Sequence, residues 1–409
     1  MKAARLAAAL TLAWALPATA AQARIVTWAP GSWSWFGDPR AVQVGGATFA
    51  GWIDWSGRIT VGALDRRSGA TRAAVVARVY HDDHSDPSIL VEPDGRLTVF
   101  WSGHDGAHMY YRTTLNPGDI SLWTPVRTLQ QSIRGPDGFT YPNPVLLPAE
   151  ADRLYLFWRG ADWSADFATR TPSGTWSGAR ELIRSPGQRP YLKVADNGSN
   201  LIGLAFTNGH PRDVLTSVYY AAYRHGSLWR AGGTWITRVD WAPIAPRQAN
   251  LVYDAAKTHV PAWVWDVAIG RDGRPVIVYA TFPHGAQHVY WYARFDGRRW
   301  ISHRLTSAGG SISPGTIEQQ YSGGVALDHT QPSTVYLSRP VDGGWQIERW
   351  STPDGGGHWR RSVVVPADGT ENVRPVVPRG YTGGPMGLLW LRGVYGTYTD
   401  YRTSVAFSG

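Results

Sequence analysis

The sequence predicts an all-β chain folded as one seven-bladed β-propeller. Three observations carry that expectation. A short apolar, aromatic-rich run, a turn and a second alternating run recur seven times, at a spacing of roughly 50 to 70 residues, as radially repeated four-stranded sheets require. The runs are rich in Val, Tyr, Trp and Phe and bounded by Gly and Pro, which marks strands. No long amphipathic helix interrupts them.

The first members of the pairs are "ATFAGWIDWSG" (47–57), "GRLTVFWSG" (95–103), "RLYLFWRG" (153–160), "LIGLAFTNG" (201–209), "RPVIVYATF" (274–282), "STVYLSRP" (333–340) and "MGLLWLRG" (386–393). Their partners include "RITVGALD", "HMYYRTT", "SVYYAAYR", "HVYWYARF" and "WQIERWS". Several second strands end in a turn that resembles a degenerate Asp-box: "TPSGTW" (171–176), "FDGRRW" (295–300) and "STPDGGGHW" (351–359). One such turn is an ordinary hairpin, whereas seven hairpins in series specify a propeller. A pair of β-sandwiches would leave the repeat unexplained. The 22 tryptophans suit packing between blades, so most are expected in the core.

Ahead of the repeats, Lys2 and Arg5 precede "LAAALTLAWALPA", with small-residue cleavage sites at Ala18-Thr19-Ala20 and Ala21-Gln22-Ala23. This reads as a signal peptide over 1–23, leaving the propeller at 24–409 and a destination that is secreted or periplasmic. The apolar run is too short to span a bilayer, so no membrane partner is expected. The chain has no cysteine, which excludes disulfides and thiolate metal sites. Forty Lys and Arg against 31 Asp and Glu give a formal charge of +9, suited to an anionic partner. No basic tail or run of like charge suggests nucleic acid. A monomer is expected.

Polar insertions gather in the first half of the chain: "GDPR" (37–40), "DDHSDP" (82–87), "TYPNP" (140–144), "RPYLK" (189–193) and "NGHPRD" (208–213). Such loops, far apart in sequence, can converge on one shallow site near a common axis. Asp82, Asp83, His84 and Asp86 offer oxygen and imidazole ligands, but neighbours on an extended strand point to opposite faces. The spacing also matches neither an EF-hand nor a helical zinc motif. No metal ligand is assigned, and a structural divalent cation elsewhere stays open. The three aspartates read best as turn formers beside Pro87. His84 and His104, each next to a strand of neighbouring blades, are candidates for acid–base work. Arg159 directly follows "LYLFW", where a guanidinium could clamp a carboxylate; a salt bridge to Asp162 is the plainer reading.

The stretches "WSWFGDPRAV", "DDHSDPSILVEPDGRLTVFWSGH", "LNPGDISLW", "TYPNPVLL", "LYLFWRG" and "RPYLKV" resemble the BNR-repeat propeller family that includes ulvan lyases and related rhamnosyl-glucuronate lyases. The resemblance covers nearly the whole mature chain. It implies catalytic residues at His84, Tyr141 and Arg159, with substrate contacts at His104 and Tyr191; Lys193 and His210, in the same polar loops, are further candidate contacts. The cysteine-containing zinc site of some ulvan lyases cannot form here.

The implied chemistry suits these residue types. In β-elimination from a 4-linked uronic acid, an arginine on the carboxylate spreads the developing enolate charge. A neutral His84 removes the C5 proton and Tyr141 returns one to the leaving C4 oxygen, with the two roles open to exchange. No cofactor is required. The expected partner is an anionic polysaccharide or oligosaccharide. Two other classes remain: a glycoside hydrolase of rhamnosidase or sialidase type, for which Asp38, Glu318 and Tyr321 are conceivable, and a non-catalytic carbohydrate-binding propeller.

Overall fold

The protein is described from a computed structural model, covering residues 25–129, 138–283, 287–383 and 387–408. The expected signal peptide at 1–23 lies outside the described residues. Seven antiparallel sheets are present among those residues. They span 41–78, 88–129, 140–183, 192–253, 262–309, 325–365 and 372–408 and are called blades one to seven. The expected single seven-bladed propeller is the observed fold. Among the described residues, no helix is long and apolar enough to cross a membrane.

The seven repeated pairs are the second and third strands of the blades. Ala47–Ile53 pairs with Arg58–Asp65 in blade one, and Leu389–Thr397 with Asp400–Ser408 in blade seven. These strands face neighbouring blades on both sides, which explains their near-continuous apolar character. Leu97–Ser102 and Pro275–Thr281 are buried at every position. Ile25–Pro30 supplies the fourth strand of blade seven, with Ile25 opposite Ser408. The two ends of the propeller thus close the ring through one ladder of hydrogen bonds.

The Asp-box tryptophans reach backwards. Trp176 of blade three packs against Tyr111 of blade two at 5.8 Å between centroids and donates its indole N–H to that hydroxyl at 3.1 Å. Trp300 of blade five lies 5.3 Å from Tyr220 of blade four, and Trp359 of blade six 5.1 Å from Tyr292 of blade five. The turn is therefore an inter-blade anchor as well as a hairpin.

The segment 31–40 fills the centre of the ring. Trp35 stacks on Trp265 at 4.4 Å and donates to the Val264 carbonyl at 3.3 Å. Phe36 sits between Tyr191 and Tyr141, at 4.7 and 5.4 Å. Arg374, only 1% exposed, donates to Asp83 at 2.6 Å and to the Trp33 carbonyl. Beneath Trp35, Lys193 is ion-paired with Asp38. This plug forms the floor of the cluster described next.

Candidate active site

The loop "DDHSDP" folds as a single 3-10 turn, Asp83–Ser85, capped by Asp82. Asp82 Oδ1 accepts the backbone N–H of His84 at 2.9 Å and also meets His84 Nδ1 at 2.6 Å. Its other oxygen meets His104 Nδ1 at 2.9 Å. The two imidazoles therefore lie face to face, 4.0 Å apart with planes 4° from parallel. Tyr398, from the last hairpin of blade seven, stands edge-on to both. His84 is buried, whereas the His104 side chain is 28% exposed. Asp86 accepts the Ser34 N–H, whereas the Asp83 carboxylate, expected to shape the turn, instead holds Arg374 and Tyr395 from blade seven.

Tyr141 owes its position to a bulge. Thr140 pairs with Arg159 and Asn143 with Phe157, so one extra residue is accommodated between them. Tyr141 takes a left-handed backbone, φ 61°, a strained conformation for a non-glycine residue that the Asn143 amide supports by donating to the Tyr141 carbonyl at 2.8 Å. Its ring lies 5.3 Å from that of His84 and 5.0 Å from the Arg159 guanidinium. No protein group bonds its hydroxyl among the described residues.

Arg159 ends its strand pointing into the same cluster. It donates to Asp105 at 2.7 Å, and at 3.3 Å to both Thr140 and Tyr191. The ion-pair partner is thus Asp105 of blade two, not Asp162. Asp162 and Trp163 follow with left-handed backbones, and Trp163 lies 4.9 Å from the Arg159 guanidinium.

The electrostatics separate the groups. Burial opposes ionisation of Asp82, but the His84 and His104 imidazoles outweigh it and hold the carboxyl below the usual range. Burial, then His84 and Arg159, lowers the His104 pKa, which keeps it neutral at neutral pH. Burial pushes the Tyr141 hydroxyl well above its ordinary value, so it holds its proton. Burial disfavours the Arg159 cation, yet Tyr191, Tyr141 and Asp105 together raise its pKa.

Asp82, His84 and His104 bring a carboxylate and two imidazoles within 4.8 Å of one another, a donor set that divalent zinc accepts. The geometry does not suit one ion. Parallel rings send their lone pairs along parallel lines, and Asp82 occupies both Nδ1 atoms.

Five of the seven candidate residues, His84, His104, Tyr141, Arg159 and Tyr191, stand side by side. His210 lies behind Tyr191, 4% exposed, and its Nδ1 accepts the Arg212 N–H at 3.1 Å. Lys193 requires correction: it has no exposed surface and bonds Asp38 and the Trp35 carbonyl, so it holds the plug and cannot touch a substrate. Residues two apart on a strand share a face, so Lys193 follows Tyr191 along the axis and lies deeper, under the plug. Each hydrolase candidate is held by protein partners. Asp38 is enclosed with Lys193 and Arg40, Tyr321 packs on Trp35, and Glu318 pairs with Arg212.

Sequence reasoning missed Asp105, Tyr398 and Trp163, and it weighed Asp82 as a cation ligand and preferred it as a turn former. Asp105 had a signal, its place beside His104. Tyr398 had none, because it arrives from the other end of the chain. A cavity of about 640 Å³ opens at the opposite end of the axis. The innermost strands begin at the cluster and end there, Tyr141 giving way to Pro144–Leu146 and Tyr191 to Val194–Asn197.

Fold and cluster together define a propeller that gathers two imidazoles, a tyrosine and an arginine at one mouth of its axis. Residues 47–308 match the BNR repeat-containing family, and the chain belongs to that family. Among solved structures, it is similar to an ulvan lyase of polysaccharide lyase family PL25, with 15% identity, TM-score 0.74, and 94% of this chain and 96% of that one covered. The structure of a PL25 ulvan lyase bound to -[GlcA(1-4)Rha3S]- gives 14% identity, TM-score 0.73 and the same coverage. The polysaccharide lyase Uly1 gives 12% identity, TM-score 0.61, and coverage of 91% and 90%. At these identities the likeness establishes the shared fold. No curated protein sequence matches the chain.

Proposed function

We propose that the protein is an exported polysaccharide lyase that cleaves a uronate-containing polymer, of ulvan or rhamnosyl-glucuronate type, by β-elimination. The observation that carries this reading is the meeting of Arg159, Tyr141 and the His84–His104 pair within about one sugar ring of each other. The solved lyases of the same fold, one holding a glucuronate–rhamnose sulfate repeat, support it.

The uronate carboxylate docks on Arg159, sharing the guanidinium with Asp105. Charge that develops on the carboxylate as C5 loses its proton is met by a cation already in place. An imidazole of the pair, neutral at working pH, accepts the C5 proton. The electrons of the C5–H bond form the C4–C5 double bond as the C4–O bond breaks. Tyr141, which burial keeps protonated, supplies the proton to the departing oxygen. The paired histidines suit the base role and Tyr141 the acid role.

The test is incubation with a panel of uronate polysaccharides, followed by near-ultraviolet absorbance of the unsaturated product. Elimination gives a rising signal. Chain shortening without that signal would identify a hydrolase, and saturable binding without cleavage a carbohydrate-binding propeller.

A further inference from the structure

The carboxylate of Asp82 does something no simple turn former needs to do. Each of its oxygens meets the Nδ1 of a different imidazole, at 2.6 and 2.9 Å, and those imidazoles are stacked 4.0 Å apart. An ionised carboxylate only accepts hydrogen bonds, so both Nδ1 atoms must carry hydrogen. Both Nε2 atoms then present lone pairs on the ring edge turned away from Asp82, and neither has a hydrogen-bond partner among the described residues. We infer that Asp82 is the positioning residue of the site: it fixes both imidazoles in the acceptor tautomer and makes the stacked pair a unit that takes up one proton, not two.

The one-proton limit follows from charge and distance. A single carboxylate balances one imidazolium. Two unit charges about 4 Å apart repel strongly enough to separate successive protonations by roughly two to three pH units at an effective dielectric of about 20. The surrounding groups do not cancel this. Asp83 lies 3.4 Å from His84 Nδ1 but is held by Arg374 and Tyr395. Asp105 lies 3.8 Å from His104 Nε2 but is bonded to Arg159, whose own charge also faces His104. Glu318 is paired with Arg212, and Tyr141 and Tyr398 stay neutral through burial. The low exposure of His84 and greater exposure of His104 give the unit an inner and an outer acceptor.

This rests on the elimination reading for its purpose but not for its test. Nitrogen-15 NMR of the parent, with signals assigned from His84→Gln and His104→Gln, reads tautomer and titration directly. The expected result is the Nδ1–H tautomer for both at pH 8 and one proton shared by the pair down to about pH 5. An Nε2–H tautomer in either ring, or two independent titrations near pH 6.5, would overturn the proposal. Asp82→Asn keeps the cap acceptor but offers an N–H to one imidazole, forcing the wrong tautomer. It is expected to retain the parent's melting temperature within a few degrees, lower kcat about 10²- to 10³-fold and leave KM nearly unchanged. An unchanged kcat overturns the positioning role. If the parent makes no unsaturated product, the elimination reading falls while the NMR titration still decides the one-proton unit.

Discussion

Arg159 of blade three and Asp105 of blade two form an ion pair of 2.7 Å across a blade boundary, the arginine 4% exposed and the aspartate 32%. Asp105 holds this contact from a left-handed backbone, φ 53°. The pair keeps a buried cation ionised and aimed, and its carboxylate partner is partly solvated. Arg159→Lys is expected to lower kcat/KM at least 10²-fold, because an ammonium cannot keep the contacts to Asp105, Thr140 and Tyr191 while clamping a carboxylate. Steady-state assay on a cleaved polymer checks this, and parental kcat/KM would remove Arg159 from the mechanism.

Tyr141 offers a sharper separation of binding from chemistry. Tyr141→Phe removes only a hydroxyl that no protein group bonds, so the bulge and the melting temperature should survive. Turnover should fall about 10²- to 10⁴-fold with oligosaccharide affinity preserved. Calorimetric binding measured beside the unsaturated-product assay distinguishes this from loss of fold.

Lys193 tests the correction to its expected role. Lys193→Met leaves the enclosed Asp38 with Arg40 at 3.2 Å and the more distant Arg379 at 3.9 Å, and losing its closest cation should cost about 3 kcal/mol. Adding Asp38→Asn should restore part of that stability. Denaturant unfolding of the two variants gives the answer, and an unaltered midpoint for the single variant would contradict a structural lysine.

Acid sensitivity should come partly from histidines outside the stacked pair. Burial, opposed by a bond to the Gln319 carbonyl, pulls His288 down to about 4. Burial, with Arg212 and Arg189, takes His210 to about 3. Each has a folded pKa below its unfolded value of about 6.5, so the unfolded chain binds more protons between those values. Stability is full above about pH 6.5 and falls as pH drops, by about 3 kcal/mol for each group at pH 4. Melting temperature against pH should therefore be flatter in His288→Gln than in the parent between pH 6.5 and 4. Identical slopes would refute the assignment.

The architecture was legible because each repeated run is a local signal. Apolar alternation ended by Gly and Pro specifies a strand without reference to the rest of the chain, and seven repeats specify a ring. His84, His104, Tyr141 and Arg159 could be picked out because each sits at the edge of such a run in an unusually polar loop. What a residue touches was not legible to the same degree. Lys193 and Tyr191 are two residues apart and share a face, yet one is locked against Asp38 and the other borders the site, because the plug that separates them in depth comes from residues 31–40. Ile25–Pro30 carries no repeat of its own and gains its role from lying beside the last strand. Asp82 reads as a turn former until blade two brings His104 onto its second oxygen. Sequence periodicity by itself determined the strands, their number and the loops rich in chemistry. Tertiary closure alone decided which of those polar groups share a hydrogen bond, because such bonds form between residues tens to hundreds of positions apart and act only at contact distance.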